Sequence, residues 1–175
     1  MPLTICPDST LRIYYSSGSA NVFKIIAWIA ENCFSILDAP VMHCASLDTP
    51  VPFSIELEII LKDPDLMVEA DASLIEQVLI NLVVNAADAV KEKADPRILL
   101  SAYITPNNKV VIKIADNGYG MPEELMEKIF IPFFSTRKTG SGIGLSLCKQ
   151  IMLLHKGTIQ VQSVEGEGSA FLLYF

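Results

Sequence analysis

Asn81, Asn85 and Asp88 follow one another at spacings of four and three in "DASLIEQVLINLVVNAADAVKEK", so on a helix they share one face. Apolar Leu74, Ile75, Val78, Leu79, Leu82 and Ala86 fill the adjoining arc, which puts the polar groups at the edge of a buried surface. Asparagine is a poor mid-helix residue because its amide competes for backbone hydrogen bonds. Two of them one turn apart are either satisfied or solvent-facing amides, or a site where the Asn85 carbonyl oxygen meets Mg²⁺, a hard cation that binds phosphate oxygens at the same time. Further along, Asp116 in "IADNGYGMP" ends an apolar strand. An ionised carboxylate only accepts, so Asp116 can receive a bond from an exocyclic amine such as that of adenine, with Gly118 and Gly120 letting backbone approach a flat ring. The other reading of that stretch is a plain Asp-Asn-Gly turn. In "IFIPFFSTRKTGSGIGL", Phe130, Phe133 and Phe134 surround Pro132, as anchors at the hinge of a lid or as ordinary core aromatics. Ser135, Thr136, Arg137 and Lys138 supply hydroxyls and positive charge, and Gly140, Gly142 and Gly144 lead into a helix whose free N–H groups attract anions. The stretch has neither the G-x-x-x-x-G-K-[ST] pattern of a P-loop nor a strand-borne G-x-G-x-x-G turn.

These groups need elements to hold them. "FSIELEIIL" (53–61) alternates as a half-buried strand does, and the asparagine helix opens at Asp71 or Ser73 and runs for about six turns. "RILLSAYIT" and "KVVIKIAD" read as strands joined by a "PNN" hairpin turn, and a helix begins at Pro122 with Glu123 and Glu124 in its first turn and reaches about Ile129. A second long helix covers "GIGLSLCKQIMLLHKG" and stops at Lys156-Gly157; strands "TIQVQSV" and "SAFLLYF" follow, separated by "EGEGS". Helices interleaved with paired strands predict an α/β (α+β) two-layer sandwich, a mixed sheet covered on one face by helices. Residues 53–175 form this unit. Residues 1–52 read as an N-terminal part, with a strand at 11–15, an amphipathic helix at 21–37 that packs on the domain, and a proline-bearing linker at 40–52.

The chain has 175 residues, 51% of them hydrophobic and 19% charged, enough for a core without disulfides or structural metal. A net charge of −7 argues against nucleic acid as a partner, because phosphate neutralisation needs clustered Lys and Arg. The apolar run Ile25 to Ala30 is too short for a membrane span, and no signal peptide is evident. Cys6, Cys33, Cys44 and Cys148 lack C-x-x-C spacing and read as buried free thiols, which suits a reducing, cytoplasmic setting.

Taken in order, N-x-x-x-N, D-x-G-x-G, F-x-P-F-F and G-x-G-x-G-L resemble the GHKL superfamily, specifically the catalytic ATP-binding domain of sensor histidine kinases. "NLVVNAADA" resembles its N box, "DNGYG" and "GSGIGL" its two glycine boxes and "IFIPFF" its F box, over residues 71 to 175. The resemblance implies a Bergerat-type fold, ATP and Mg²⁺ as ligands, and transfer of the γ-phosphate to a histidine. It implies Mg²⁺ coordination by Asn85, a phosphate-side catalytic role for Asn81, and adenine recognition by Asp116 beside Gly118, Gly120 and Met121. Gly140, Gly142, Gly144 and Leu145 would form the lid's end and the helix start under the phosphates, with Thr136 a further cofactor-binding residue. Ser169, at a position often Thr, would help hold Asp116 or a bridging water, and Arg137 or Lys138 would neutralise the γ-phosphate. Position 81 is Asn where hydrolysing branches carry a water-activating Glu, so a kinase is preferred over an ATPase. Asp88 and Ala89 stand where many histidine kinases have a Lys and an aromatic, and the lid from Phe134 to Gly140 is short. Neither histidine suits the acceptor role: His155 reads as a helix C-terminal cap and His43 lacks the family's acceptor motif. The implied partners are therefore a histidine-bearing dimerisation domain, in the full-length protein or in trans, and a response regulator downstream; a membrane anchor in the full-length protein stays open. Alternatives are a serine kinase of the anti-sigma-factor type and a nucleotide-binding module without turnover.

Overall fold

A computed structural model describes residues 55–61, 66–136 and 142–175. The strand, helix and linker expected within residues 1–52, together with His43, Cys6, Cys33, Cys44, Arg137, Lys138 and Gly140, lie outside the described residues. The element order is β1 (Glu56–Leu61), α1 (Ala72–Val90), β2 (Arg97–Ile104), β3 (Val110–Asp116), α2 (Glu123–Met126), α3 (Gly144–Leu154), β4 (Thr158–Val164) and β5 (Gly168–Tyr174).

The five strands form one sheet in the order β1-β2-β3-β5-β4. β1 runs parallel to β2 and all other pairs are antiparallel, so the sheet is mixed, as the sequence pattern predicts. Alternation along the strands turns Ile98, Leu100, Ala102, Ile112, Ile114, Phe171 and Leu173 to one face. Against that face α1 sets Ile75, Val78, Leu79, Leu82, Val83, Ala86 and Val90. Each large side chain removed from water there contributes about 1.5–3 kcal/mol. By length and composition α1 would also pass as a membrane span, but its apolar stripe belongs to this core. Met152, Ile151 and Cys148 of α3 complete the helical layer.

The start of α1 agrees with the sequence: the Asp71 carboxylate accepts from the Leu74 N–H at 3.2 Å. Its end comes earlier than the periodicity suggests, at Val90. Lys91, Glu92 and Lys93 offer no apolar group to the core, and the Lys93 N–H closes a turn onto the Val90 carbonyl at 2.9 Å. The Pro122 helix is also shorter than expected. α2 holds four residues and the chain continues through hydrogen-bonded turns, with the Ile129 N–H on the Leu125 carbonyl. At the stop of α3, Lys156 and not Gly157 takes the left-handed conformation, with φ of 55°. Gly157 is required for another reason, since a Cβ there would lie 2.5 Å from the Tyr174 carbonyl oxygen. His155 is the C-cap residue, as expected. Its Nδ1 lies 2.8 Å from the Ile151 carbonyl and its Nε2 accepts from the Asp71 N–H at 3.0 Å, so one imidazole ties the end of α3 to the start of α1.

Candidate nucleotide site

A cavity of about 510 Å³ opens between α1, the end of β3, α2 and the start of α3. Asn81 and Asn85 line one side of it, and Asp116, Gly120, Met121 and Ser169 line another. Thr136, Gly142, Gly144 and Leu145 are also in the wall. Residues as distant in sequence as Asn81 and Ser169 are thereby brought to one concave surface, because the end of the central strand and the helices converge there.

Asp116 is the last residue of β3. Its Oδ1 accepts from the Gly118 N–H at 2.9 Å, and the Ser169 backbone, its register partner on β5, gives a second bond. Burial is nonetheless the dominant influence and holds the carboxyl above its ordinary value of 3.8; the Gly118 and Ser169 bonds and the Lys93 charge pull it down only in part. A desolvated, acceptor-rich carboxylate is suited to an uncharged donor such as an exocyclic amine.

A hydroxyl pair stands beside it. The Met121 N–H donates to Ser163 Oγ at 2.7 Å, Ser163 Oγ donates to the Gly168 carbonyl at 2.9 Å, and the Ser163 and Ser169 hydroxyls are 2.9 Å apart. Met121, Ser169 and the β4–β5 turn are thus fixed to one another at the Asp116 end of the cavity.

The α3 side is built differently. α3 begins after Ile143 with no side-chain cap, and its first residues Gly144 and Leu145 line the cavity. First-turn N–H groups have no partner inside a helix, and the positive end of the helix dipole adds to them, so this end favours an anion. Gly144 is where α3 meets Asn81: a Cβ on it would sit 3.2 Å from Asn81 Oδ1. Asn81 also bonds the Cys148 side chain beneath it. Burial pushes that thiol up to about 12, with the Asn81 bond a smaller influence in the other direction.

The glycines differ from the sequence reading in their reason. Gly118 is not in the cavity wall. A Cβ there would meet the Ala89 carbonyl oxygen at 2.6 Å, so Gly118 lets the β3 exit pack onto the backbone of α1. Gly120 does line the cavity, but with φ of +65° and a Cβ position 2.0 Å from the Val164 carbonyl its need is also conformational and steric. Asp88, which shares a helix face with the asparagines, is not a lining residue and pairs with Lys91 at 2.5 Å. The phenylalanines divide: Phe134 lines the cavity, Phe130 packs at the core margin with Lys149 5.6 Å from its ring centre, and Phe133 is 78% exposed with φ of 66°.

Several further residues line the wall. Val84 and Ala89 lie on α1 near the asparagines and were legible from helical spacing alone. Ile129 and Leu125 reach the cavity through the α2 turns, and Glu165 through the β4–β5 turn, where only topology places it. Asn117 is a structural residue: its Oδ1 accepts from the Arg97 N–H at 2.8 Å and its Nδ2 donates to the Asp95 carbonyl at 2.6 Å, locking the β3 exit to the entry of β2.

Comparison with known proteins follows the same outline. Residues 70–175 match the family described as histidine kinase-, DNA gyrase B-, and HSP90-like ATPase. The signal transduction histidine-protein kinase AtoS of Escherichia coli is 40% identical over 106 residues, which is 61% of this chain and 17% of AtoS. The curated relatives are much longer proteins, of which the matched part spans 17 to 28%. The solved catalytic domain of histidine kinase ThkA is 31% identical, with 87% of each chain covered and a TM-score of 0.65. ThkA in complex with the response regulator protein TrrA superposes with a TM-score of 0.64 at 29% identity, over 89% of this chain and 40% of that one. A mixed sheet under two long helices, a cavity between an asparagine-bearing helix and a strand-end aspartate, and a family match across both place the chain in that ATPase family, as a GHKL-type catalytic ATP-binding domain of the sensor histidine kinases.

Proposed function

We propose that this domain binds ATP with Mg²⁺ in the cavity and donates the γ-phosphoryl group to a histidine on a dimerisation domain, in the longer protein or in trans, with a response regulator receiving the phosphoryl group afterwards. The observation that carries this is the arrangement of the Asp116 carboxylate and the Asn81 and Asn85 amides in the wall of one cavity. The amine-seeking group and the phosphate-side groups are then served by one bound molecule. The relatives support the reaction: AtoS is a histidine-protein kinase, and ThkA is a histidine kinase solved with a response regulator.

The chain's own residues supply binding and position. Asp116 accepts from the base amine, Met121 and Ile129 flank it with apolar surface, and the start of α3 receives the phosphates. Among the described residues, no group of three or more His, Cys, Asp or Glu could hold a metal. Mg²⁺ would instead be held through the Asn85 carbonyl oxygen, in the cavity wall, together with substrate oxygens and water, the usual manner for this cation at a phosphate site. Bound there, Mg²⁺ would neutralise phosphate charge. Asn81 has no basic group with which to activate water, which favours transfer to an incoming imidazole over hydrolysis. Arg137 and Lys138 are proposed to add positive charge at the γ-phosphate. His155 has both ring nitrogens engaged, with Ile151 and Asp71, and is assigned no acceptor role. The domain is proposed to work in the cytoplasm, where ATP is available.

The test is incubation with γ-labelled ATP, Mg²⁺ and a histidine-bearing dimerisation domain from a relative such as ThkA. Label should appear on that domain in acid-labile form and disappear with Asn85→Ala or Asp116→Ala. Acid-stable label would instead identify a serine kinase, and unimpaired transfer by both variants would sink the site assignment.

A further inference from the structure

The hydroxyl pair at the Asp116 end has a definite proton order. Ser163 Oγ carries one hydrogen and has three neighbours: the Met121 N–H at 2.7 Å, the Gly168 carbonyl oxygen at 2.9 Å and Ser169 Oγ at 2.9 Å. Met121 can only donate and the Gly168 carbonyl can only accept. If Ser163 spends its hydrogen on Ser169, the bond to Gly168 is lost. If it gives the hydrogen to Gly168, all three contacts are satisfied at once, provided that Ser169 donates its own hydrogen to Ser163. The satisfied chain runs Ser169 to Ser163 to the Gly168 carbonyl, and each bond in such a chain strengthens the next. Ser169 and Met121 line the cavity, whereas Ser163 is not in its wall.

We infer that Ser163 is a positioning residue that takes the Ser169 hydrogen, so that Ser169 presents only lone pairs to the cavity and the base end of the site selects a purine with an amine at C6 over one with a carbonyl there. Asp116 contributes in the same sense, with its own Oδ1 already holding the Gly118 N–H. An amine placed against these oxygens finds acceptors on two sides; a carbonyl in the same place, as in guanine, sets oxygen against oxygen. This rests on the nucleotide reading above and deepens it: the discrimination lies partly in a serine that does not line the site.

The experiment compares the dissociation constants of ATP and GTP, each with Mg²⁺, for the unaltered chain, Ser163→Ala, Ser163→Thr and Ser169→Ala. The unaltered chain should prefer ATP. Ser163→Ala frees the Ser169 hydroxyl to donate, so the preference should fall by roughly tenfold, the worth of one misplaced hydrogen bond. Ser163→Thr, which keeps the hydroxyl on a strand that accepts β-branched residues, should restore it. A structural role alone would weaken both nucleotides equally, and an unchanged ratio in Ser163→Ala overturns the inference. If Ser163→Ala does not fold, Ser169→Ala decides, because an unchanged ratio there is equally fatal. Failure of the unaltered chain to bind either nucleotide would be a different result, one that removes the nucleotide reading itself and the inference with it.

Discussion

Replacing Gly118 by alanine separates two explanations of the D-x-G-x-G stretch. The φ of Gly118 lies outside the left-handed region, so alanine meets no backbone strain there and the effect is steric. Its methyl would stand 2.6 Å from the Ala89 carbonyl oxygen and 2.7 Å from the Ala89 carbonyl carbon, where ordinary contact begins at 3.4 Å. Those atoms belong to the backbone of α1 and cannot swing aside as a flexible side chain would. Either the β3 exit or the last turns of α1 must shift, and overpacking of this kind costs about 1–3 kcal/mol. At 2 kcal/mol the ratio of folded to unfolded chain drops roughly thirtyfold. Urea unfolding followed by far-UV circular dichroism should show an earlier midpoint with an unchanged slope. Gly166→Ala is the matched control: nothing lies within 4 Å of its Cβ position, but φ is +85°, so it should cost about 1–2 kcal/mol through the backbone alone. A Gly118→Ala change below about 0.5 kcal/mol would refute the packing argument. Such a result joined to weakened ATP binding would restore the reading in which Gly118 makes room for the base.

Two further expectations concern titratable groups. Because burial holds Asp116 above 3.8, the folded chain keeps a proton that the unfolded chain has released; the stability tied to this group is present below 3.8 and is lost as pH rises through the raised value. Asp116→Asn should therefore leave the ligand-free domain at least as stable at neutral pH while abolishing nucleotide binding; a clear loss of stability there, measured by thermal unfolding, would contradict this account of the carboxyl. Cys148, fully buried and with its thiol pushed up to about 12, should resist alkylation at pH 8 in the folded chain and react only on unfolding, as followed by peptide mass mapping. Rapid native-state modification of Cys148 would show that α3 does not stay packed over Asn81.

The helical spacing of Asn81 and Asn85 and the strand-end position of Asp116 were readable because period 3.6 and period 2 are local properties of the chain. The same holds for β1 to β5, whose alternation matches the register, and for the Asp71 cap. What was not readable depends on contacts between distant segments. Gly118 looks like a residue making room for a ligand until Ala89 is seen against it, and Gly157 looks like a left-handed stop until the Tyr174 carbonyl is seen beside it. The work of Asn117, bridging two strand ends, and of Ser163, ordering a neighbour's proton, follows from pairings that no spacing encodes. The early end of α1 was foreshadowed by Lys91, Glu92 and Lys93, whose charges give the core nothing to bury, but helix propensity alone favours continuing through them.

The most direct test of the central claim is titration calorimetry of the chain with ATP in the presence and absence of Mg²⁺, repeated with Asn85→Ala and Asp116→Ala. The account predicts saturable one-site binding that Mg²⁺ tightens, loss of the Mg²⁺ effect in Asn85→Ala, and loss of binding altogether in Asp116→Ala. Undiminished binding in both variants would contradict it.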